Sequence, residues 1–294
     1  FLFPMSVEEH GSFLRLRLGE QSAVDVYLKG AHVTSWKDCD GVEQLYLSPQ
    51  SSFEPNTAIR GGIPVIFPQF ADQGELPKHG FLRSSSKWRK IDQFADEDSV
   101  RITLSHQETP ETLSVWNHRF EFLLDVRLFD RGNKLECSAK IKNNNSQDGN
   151  DLQMQVCFHT YFSVHSIKTT QIKGLSDIVY VDKVRSGAED KETRDIISIG
   201  EEVDRIYKNV PGDVLLTDSS VEKALAISKH NMEDIVLWNP WVEKAKNMSD
   251  LPDDGFHSFV CIETGQIANP VCLAPQASTE VKQVLHAHAH PNKL

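Results

Sequence analysis

The chain has 294 residues, 39% hydrophobic and 25% charged, with a formal net charge of -11. Such a balance fits an ordinary globular protein with a sizeable core, and its acidity argues against a nucleic-acid partner, which would need a wide basic surface. No stretch approaches the roughly 20 apolar residues that span a bilayer, and Phe1 to Met5 lack the basic and apolar regions of a signal peptide, so neither membrane nor secretion is expected.

Cys39, Cys137, Cys157, Cys261 and Cys272 form no CxxC pair. An odd, scattered set argues against a disulfide framework or zinc site and fits free thiols in a reducing cytosol.

From the N-terminus, Leu14, Leu16 and Leu18 alternate with Arg15 and Arg17, and Val24, Val26 and Leu28 with Asp25 and Tyr27. This period of two predicts half-buried strands. Residues 60–83 then read Arg60-Gly-Gly-Ile-Pro-Val-Ile-Phe-Pro-Gln, a polar loop, and Lys78-His79-Gly80-Phe81-Leu82-Arg83. Glycines allow backbone to approach a ligand closely and prolines stiffen the loop, so the cations and imidazole suit a small anion. Lys87, Arg89 and Lys90 prolong the run with no acid between them. A solvated basic surface loop accounts for the charges as well.

Val100, Ile102 and Leu104 alternate again. The clearest pattern follows: Phe122, Leu124, Val126 and Leu128, a turn at Asp130-Arg-Gly132-Asn133, then Leu135, Cys137, Ala139 and Ile141. It predicts a hairpin. A third strand over 151–162 is expected to extend this into an antiparallel meander. Its Leu152, Met154, Val156 and Phe158 would face one way, and Gln153, Gln155, Cys157, His159 and Tyr161 the other, toward solvent or a cleft.

Helical periodicity is scarce, and the best candidate is 241–248, after Asn239-Pro240. In 256–264, Phe259, Cys261 and Glu263 share one strand face, opposite Val260 and Ile262. A glutamate there needs a partner or a purpose, unless Gly265 ends the strand and leaves the carboxylate near solvent. His286, His288 and His290 share a face without an acid or cysteine, so a frayed end is expected rather than a metal site. Many strands joined by turns, with no repeat or linker, predict one all-β domain over 1–294, with 1–5 and 286–294 loose.

Arg60-Gly-Gly-Ile-Pro-Val-Ile-Phe-Pro, His79-Gly80-Phe81 with Arg83, Phe158-His159-Thr160-Tyr161-Phe162, Trp238-Asn239-Pro240-Trp241 and Cys261-Ile262-Glu263 occur in a telling order. Together they resemble the glucose-6-phosphate 1-epimerases, the hexose-6-phosphate mutarotase branch of the aldose 1-epimerase family. The likeness runs from Gly30-Ala31 and Trp36 to Leu273-Ala-Pro275. It implies a galactose-mutarotase-like β-supersandwich with a concave sugar-binding cleft. It also implies cofactor-free interconversion of the α and β anomers of a hexose 6-phosphate, glucose 6-phosphate first, by a cytoplasmic monomer.

Carried onto matching positions, the resemblance makes His159 the general acid and Glu263 the general base. Arg60, Arg83 and Asp204 become substrate-binding residues, and His79 a hydroxyl-binding partner. Asp204 lies in Glu201-Glu-Val-Asp204-Arg-Ile-Tyr, which by itself reads as solvated acidic surface. Lys78 departs from the glutamine often found there and offers a phosphate contact. Trp36, Phe67 and Trp238 are expected in the core rather than stacked on sugar. Two other readings stay open: a non-catalytic sugar-phosphate binding or scaffold protein, and a glycosidase, which would normally need two carboxylates.

Overall fold

The computed structural model describes residues 5–221 and 223–288. Among these residues the strands form a four-stranded, an eight-stranded and a nine-stranded sheet. The four-stranded sheet is a meander of Met5–His10, Phe13–Leu18, Ala23–Tyr27 and His32–Lys37. Leu14, Leu16, Leu18, Val24 and Val26 enter the main core, while outward Arg15 pairs with Asp25 across the strands. The period of two is the whole reason for this sorting.

The predicted hairpin is Phe120–Phe129 with Lys134–Asn143, in a register that places Phe122 opposite Ile141 and Leu128 opposite Leu135. Its turn needs left-handed backbone at Asp130, Arg131 and Gly132, with φ of 53°, 56° and 97°. The predicted third meander strand is a different matter. Leu152–Phe158 does not pair with the hairpin but with Phe259–Leu273 and Val65–Ile66 in the eight-stranded sheet. Ser278–His288 takes the place beside Lys134–Asn143. Burial explains the switch: Met154 to Phe158 are buried on both faces, whereas the hairpin exposes Lys134, Glu136, Lys140 and Lys142 at least in part. A strand apolar on both faces needs cover on both.

The middle of the eight-stranded sheet has that cover. In Asp234–Asn239, Ile235 and Leu237 join the main core, while Val236 and Trp238 join a second cluster on the opposite face. In Phe259–Leu273, Val260 and Ile262 go to the first, and Phe259 and Cys261 to the second. Of the two readings open for Glu263, the strand end fails: Gly265 does not end this strand, which continues to Leu273. Its missing Cβ permits close packing: a Cβ there would lie 3.0 Å from Cys157 Cβ. Glu263 is therefore held mid-strand in the interior.

The ends also differ from expectation. Met5 opens a paired strand, and His286, Ala287 and His288 pair with Ala226, Leu225 and Ala224. Leu285 and Ala287 bury into the main core and hold that strand down. Residues 1–4 and 289–294, His290 included, lie outside the described residues. The predicted helix is present as Trp241–Lys246. A second, Pro110–Val115, was not anticipated, although a capping box of Thr109 and Thr112 marks its start. Among the described residues no helix is long and apolar enough to cross a membrane.

The loop that carries Arg60 is clamped by its glycines. Gly61 and Gly62 have φ of 111° and 62°, and a Cβ would meet Tyr46 O at 2.3 Å and Val33 O at 2.2 Å respectively. These glycines therefore admit close approach of the protein's own backbone, not of a ligand. Gly61→Ala should lower stability by about 1–3 kcal/mol, because both the φ and the contact are forbidden to a side chain. Urea unfolding checks this; an unchanged midpoint would show that the loop is not clamped there.

Candidate active site

The polar groups of the second face meet at one point. His159 follows directly on Leu152–Phe158, and Glu263 projects from the paired Phe259–Leu273 strand. Their side chains touch, His159 Nδ1 lying 3.4 Å from Glu263 Oε1. Cys157 Sγ donates to Glu263 Oε2 at 3.6 Å. The Tyr161 ring stacks on the imidazole at 4.8 Å and 6°, and Trp238 closes edge-on at 5.9 Å.

Burial opposes charge on both members of this pair. It drives the His159 pKa well below its ordinary value, helped by His79, Arg60 and Arg83. It drives the Glu263 pKa well above the usual carboxylate range, with Asp204 adding to the rise and the Cys157 thiol opposing it. Between the two limits the pair holds one proton, either on the carboxyl or, as a contact ion pair, on the imidazole. A single proton that either partner can hold is the equipment of a reversible acid–base catalyst.

Arg60, Lys78, His79, Arg83, His159, Asp204 and Glu263, all the site residues expected from sequence, line one cleft of about 240 Å³. Arg60 is braced, with Nε donating to Asp250 Oδ2 at 3.1 Å and Nη1 to the Tyr161 hydroxyl at 2.9 Å. Burial works against its charge, but Tyr161 and Asp250 outweigh it and the pKa rises. Arg83 Nη2 donates to Lys78 O at 2.9 Å. Among the described residues neither Arg83 nor Lys78 has a carboxylate within ion-pair distance. Burial lowers the Arg83 pKa, and packing around Lys78, followed by Lys183 and Lys244, lowers that of Lys78.

His79 has a defined tautomer. Its Nδ1 accepts the Ala71 amide at 3.2 Å, so a neutral ring carries its proton on Nε2. Burial and then the surrounding cations lower its pKa to about 2. Asp204 lies 3.6 Å from Lys183 Nζ and 4.0 Å from Lys244 Nζ; burial raises its pKa and the lysines oppose the rise.

Sequence reasoning missed Lys183, Lys244 and Asp250. Lys183 sits just past the short Val179–Asp182 strand, beside no recognisable motif, and Lys244 lies in the Trp241–Lys246 helix that follows Trp238-Asn239-Pro240-Trp241, where it reads as an ordinary helix-surface lysine. The long basic run divides: Lys78 and Arg83 turn to the cleft, while Lys87 and Arg89 are exposed and Lys90 pairs with Glu9. Trp36 and Phe67 are core residues, as expected, and Trp238 is buried yet lines the cleft.

A family model described as aldose 1-epimerase matches residues 12–286. A Cenchrus ciliaris protein named "Putative glucose-6-phosphate 1-epimerase" is 35% identical over 266 residues, 88% of this chain and 80% of the relative. The crystal structure of a "putative mutarotase" from Salmonella typhimurium aligns with a TM-score of 0.84 at 27% identity, covering 97% of this chain and 96% of that one. A galactose mutarotase related enzyme from Lactobacillus acidophilus shares the fold, with a TM-score of 0.74 at 15% identity over 94% and 98% of the two chains. The architecture is thus the galactose-mutarotase-like β-supersandwich, with the cleft on its second face. With matching sequence and fold, the chain belongs to the aldose 1-epimerase family, isomerases that interconvert sugar anomers.

Proposed function

We propose that the chain is a hexose-6-phosphate mutarotase acting on glucose 6-phosphate, with His159 as general acid and Glu263 as general base. One observation carries the reading: an imidazole and a carboxylate in contact at 3.4 Å, in a cleft lined by Arg60, Lys78, Arg83, Lys183 and Lys244 against two carboxylates. Glucose 6-phosphate is the sugar named by the Cenchrus ciliaris relative. One buried cluster with residues from Leu14 to Ala287 supports reading the chain as a single domain.

Ring opening requires loss of the anomeric hydroxyl proton and gain of a proton at the ring oxygen. Both oxygens hang on C1, so two groups a few ångströms apart reach them together. In its ion-pair tautomer the couple offers a carboxylate to the hydroxyl and an imidazolium to the ring oxygen. Each turnover of opening moves the shared proton to the other partner. Rotation about C1–C2 presents the other carbonyl face, and reclosure runs the transfers backward.

Arg83 and Lys78, which have no carboxylate within ion-pair distance among the described residues, and the braced Arg60 suit a phosphate dianion, to which guanidinium forks give charge-assisted bonds. The His79 Nε2–H suits a sugar hydroxyl, and Asp204 with its two lysines another. A non-catalytic binding protein would have the same use for the cations, but none for a carboxylate and an imidazole buried in contact.

His159→Ala and Glu263→Gln should each slow anomer exchange at least ~100-fold while the fold is kept, since each removes a proton-transfer partner. Near-parental turnover in either variant would exclude that residue from the chemistry.

The pH profile follows from the one-proton state. Below it the pair gains a second proton and lacks a base; above it the pair loses its proton and lacks an acid. The depressed His159 pKa moves the acid limb down and the raised Glu263 pKa moves the alkaline limb up. The rate should therefore be flat through neutral pH, and an inflection near the ordinary histidine value of about 6.5 would contradict this.

Losing a hydrogen bond to a charged group costs roughly 1.5–3 kcal/mol, so Arg60→Ala or Arg83→Ala should cut efficiency on glucose 6-phosphate about 10- to 150-fold. Free glucose should suffer much less. An unchanged preference between the two sugars would place phosphate recognition elsewhere. Lys78→Gln removes charge but supplies an amide: weaker binding of the phosphorylated sugar marks an anion contact, and equal binding a bystander.

A further inference from the structure

Proton transfer gives Cys261 no task, although its thiol shares a strand face with Glu263. One ligand atom each from His159, Cys261 and Glu263 lies within 4.8 Å of the other two. The three residues are 7%, 0% and 1% exposed. His159 Nδ1, the atom turned toward Glu263, makes no hydrogen bond among the described residues. A buried imidazole nitrogen whose contact with the carboxylate is too poorly aligned to be a hydrogen bond, with a thiol beside it, offers three donors that an acceptor of electron pairs could draw together in place of the shared proton.

We propose that His159, Cys261 and Glu263 form an inhibitory site for a thiophilic divalent cation, Zn²⁺ or Cd²⁺, which enters through the sugar cleft and shuts off anomer exchange. The donor types choose the metal. Nitrogen, sulfur and one carboxylate form a Zn²⁺-type set, whereas Mg²⁺ and Ca²⁺ take oxygen shells. Bonds of about 2.0–2.3 Å put tetrahedral ligand atoms roughly 3.5 Å apart. Closing the observed spacing to that value needs side-chain shifts of about 1 Å.

Three protein ligands leave a fourth position, open to the cleft, for water or a sugar hydroxyl. Around the ligands, the Cys157 thiol bonds the second oxygen of Glu263 and the Tyr161 ring holds the imidazole plane, partners of the kind that orient metal ligands. Binding releases the Cys261 proton and the proton of the His159–Glu263 pair to solvent, and bonds form from the metal to sulfur, nitrogen and oxygen. The imidazole lone pair and the carboxylate are then no longer available to the sugar. Inhibition follows from occupancy alone.

The test is a Cd²⁺ titration of the full chain, read by cadmium–thiolate charge-transfer absorbance and, in parallel, by anomer exchange. The expected result is one Cd²⁺ per chain, with absorbance and loss of exchange sharing a midpoint, and no such effect from Mg²⁺. Cys261→Ser should abolish the absorbance, weaken inhibition at least ~10-fold, and keep metal-free exchange. A Cys39→Ser/Cys272→Ser variant, lacking the two cysteines that are not buried, should behave like the parent. If Cys261→Ser does not fold, Glu263→Gln serves, its absorbance midpoint moving at least ~10-fold to higher Cd²⁺. Absorbance that survives Cys261→Ser but vanishes in the Cys39/Cys272 variant, an unmoved midpoint in Glu263→Gln, or no response at millimolar Cd²⁺ overturns the proposal. A chain with Cys261-dependent absorbance but no exchange activity supports the metal site and sinks only the mutarotase reading.

Discussion

The site depends on one constraint: the middle strands of the eight-stranded sheet are buried on both faces, and alternate residues of each must go to opposite sides. Glu263 follows Phe259 and Cys261 onto the second face, where Cys157, Tyr161 and Trp238 already lie. An isolated ionised carboxylate there would cost several kcal/mol, so it must hold a proton or find a cation. His159 answers that demand at 3.4 Å. Burial and contact together leave the pair with one proton and two places to keep it.

The walls of the cleft answer a second demand. Its five basic side chains outnumber its two carboxylates in a chain of net charge -11, a local reversal of sign of the kind that suits an anion. Tyr161 joins the two parts, since its hydroxyl accepts from Arg60 and its ring stacks on His159. Arg60 and His159 are thus held by the same ring. Under the proposed chemistry, bracing of this kind would fix the reacting groups in advance, which is where positioning contributes to rate.

Much of this was legible because it has period two. The alternation of Phe259, Cys261 and Glu263 against Val260 and Ile262 assigns the carboxylate its face without any structure. The short motifs then bring His159, Arg60 and Arg83 into the same account. Legibility ended where tertiary pairing decides. The polar loop after Asn143 hides a change of sheet, since hairpin continuation and crossover look alike locally. Gly265 looks like a stop and is a close contact instead. Lys183 and Lys244 are ordinary surface lysines by sequence, and only the fold brings them to Asp204. The alternation in 278–288 was masked by a histidine-rich end, although Val281 and Leu285 already marked a core strand.

On the proposed function, this cleft exchanges the anomers of a phosphorylated hexose with the proton held by His159 and Glu263. The most direct measurement is magnetisation-exchange NMR on the parental chain with glucose 6-phosphate labelled at C1, galactose 6-phosphate and free glucose, with EDTA present. The account predicts exchange between the α and β signals of glucose 6-phosphate far above the buffer rate, and slower exchange of free glucose. Exchange of both 6-phosphates at the buffer rate, or faster exchange of free glucose, would contradict it.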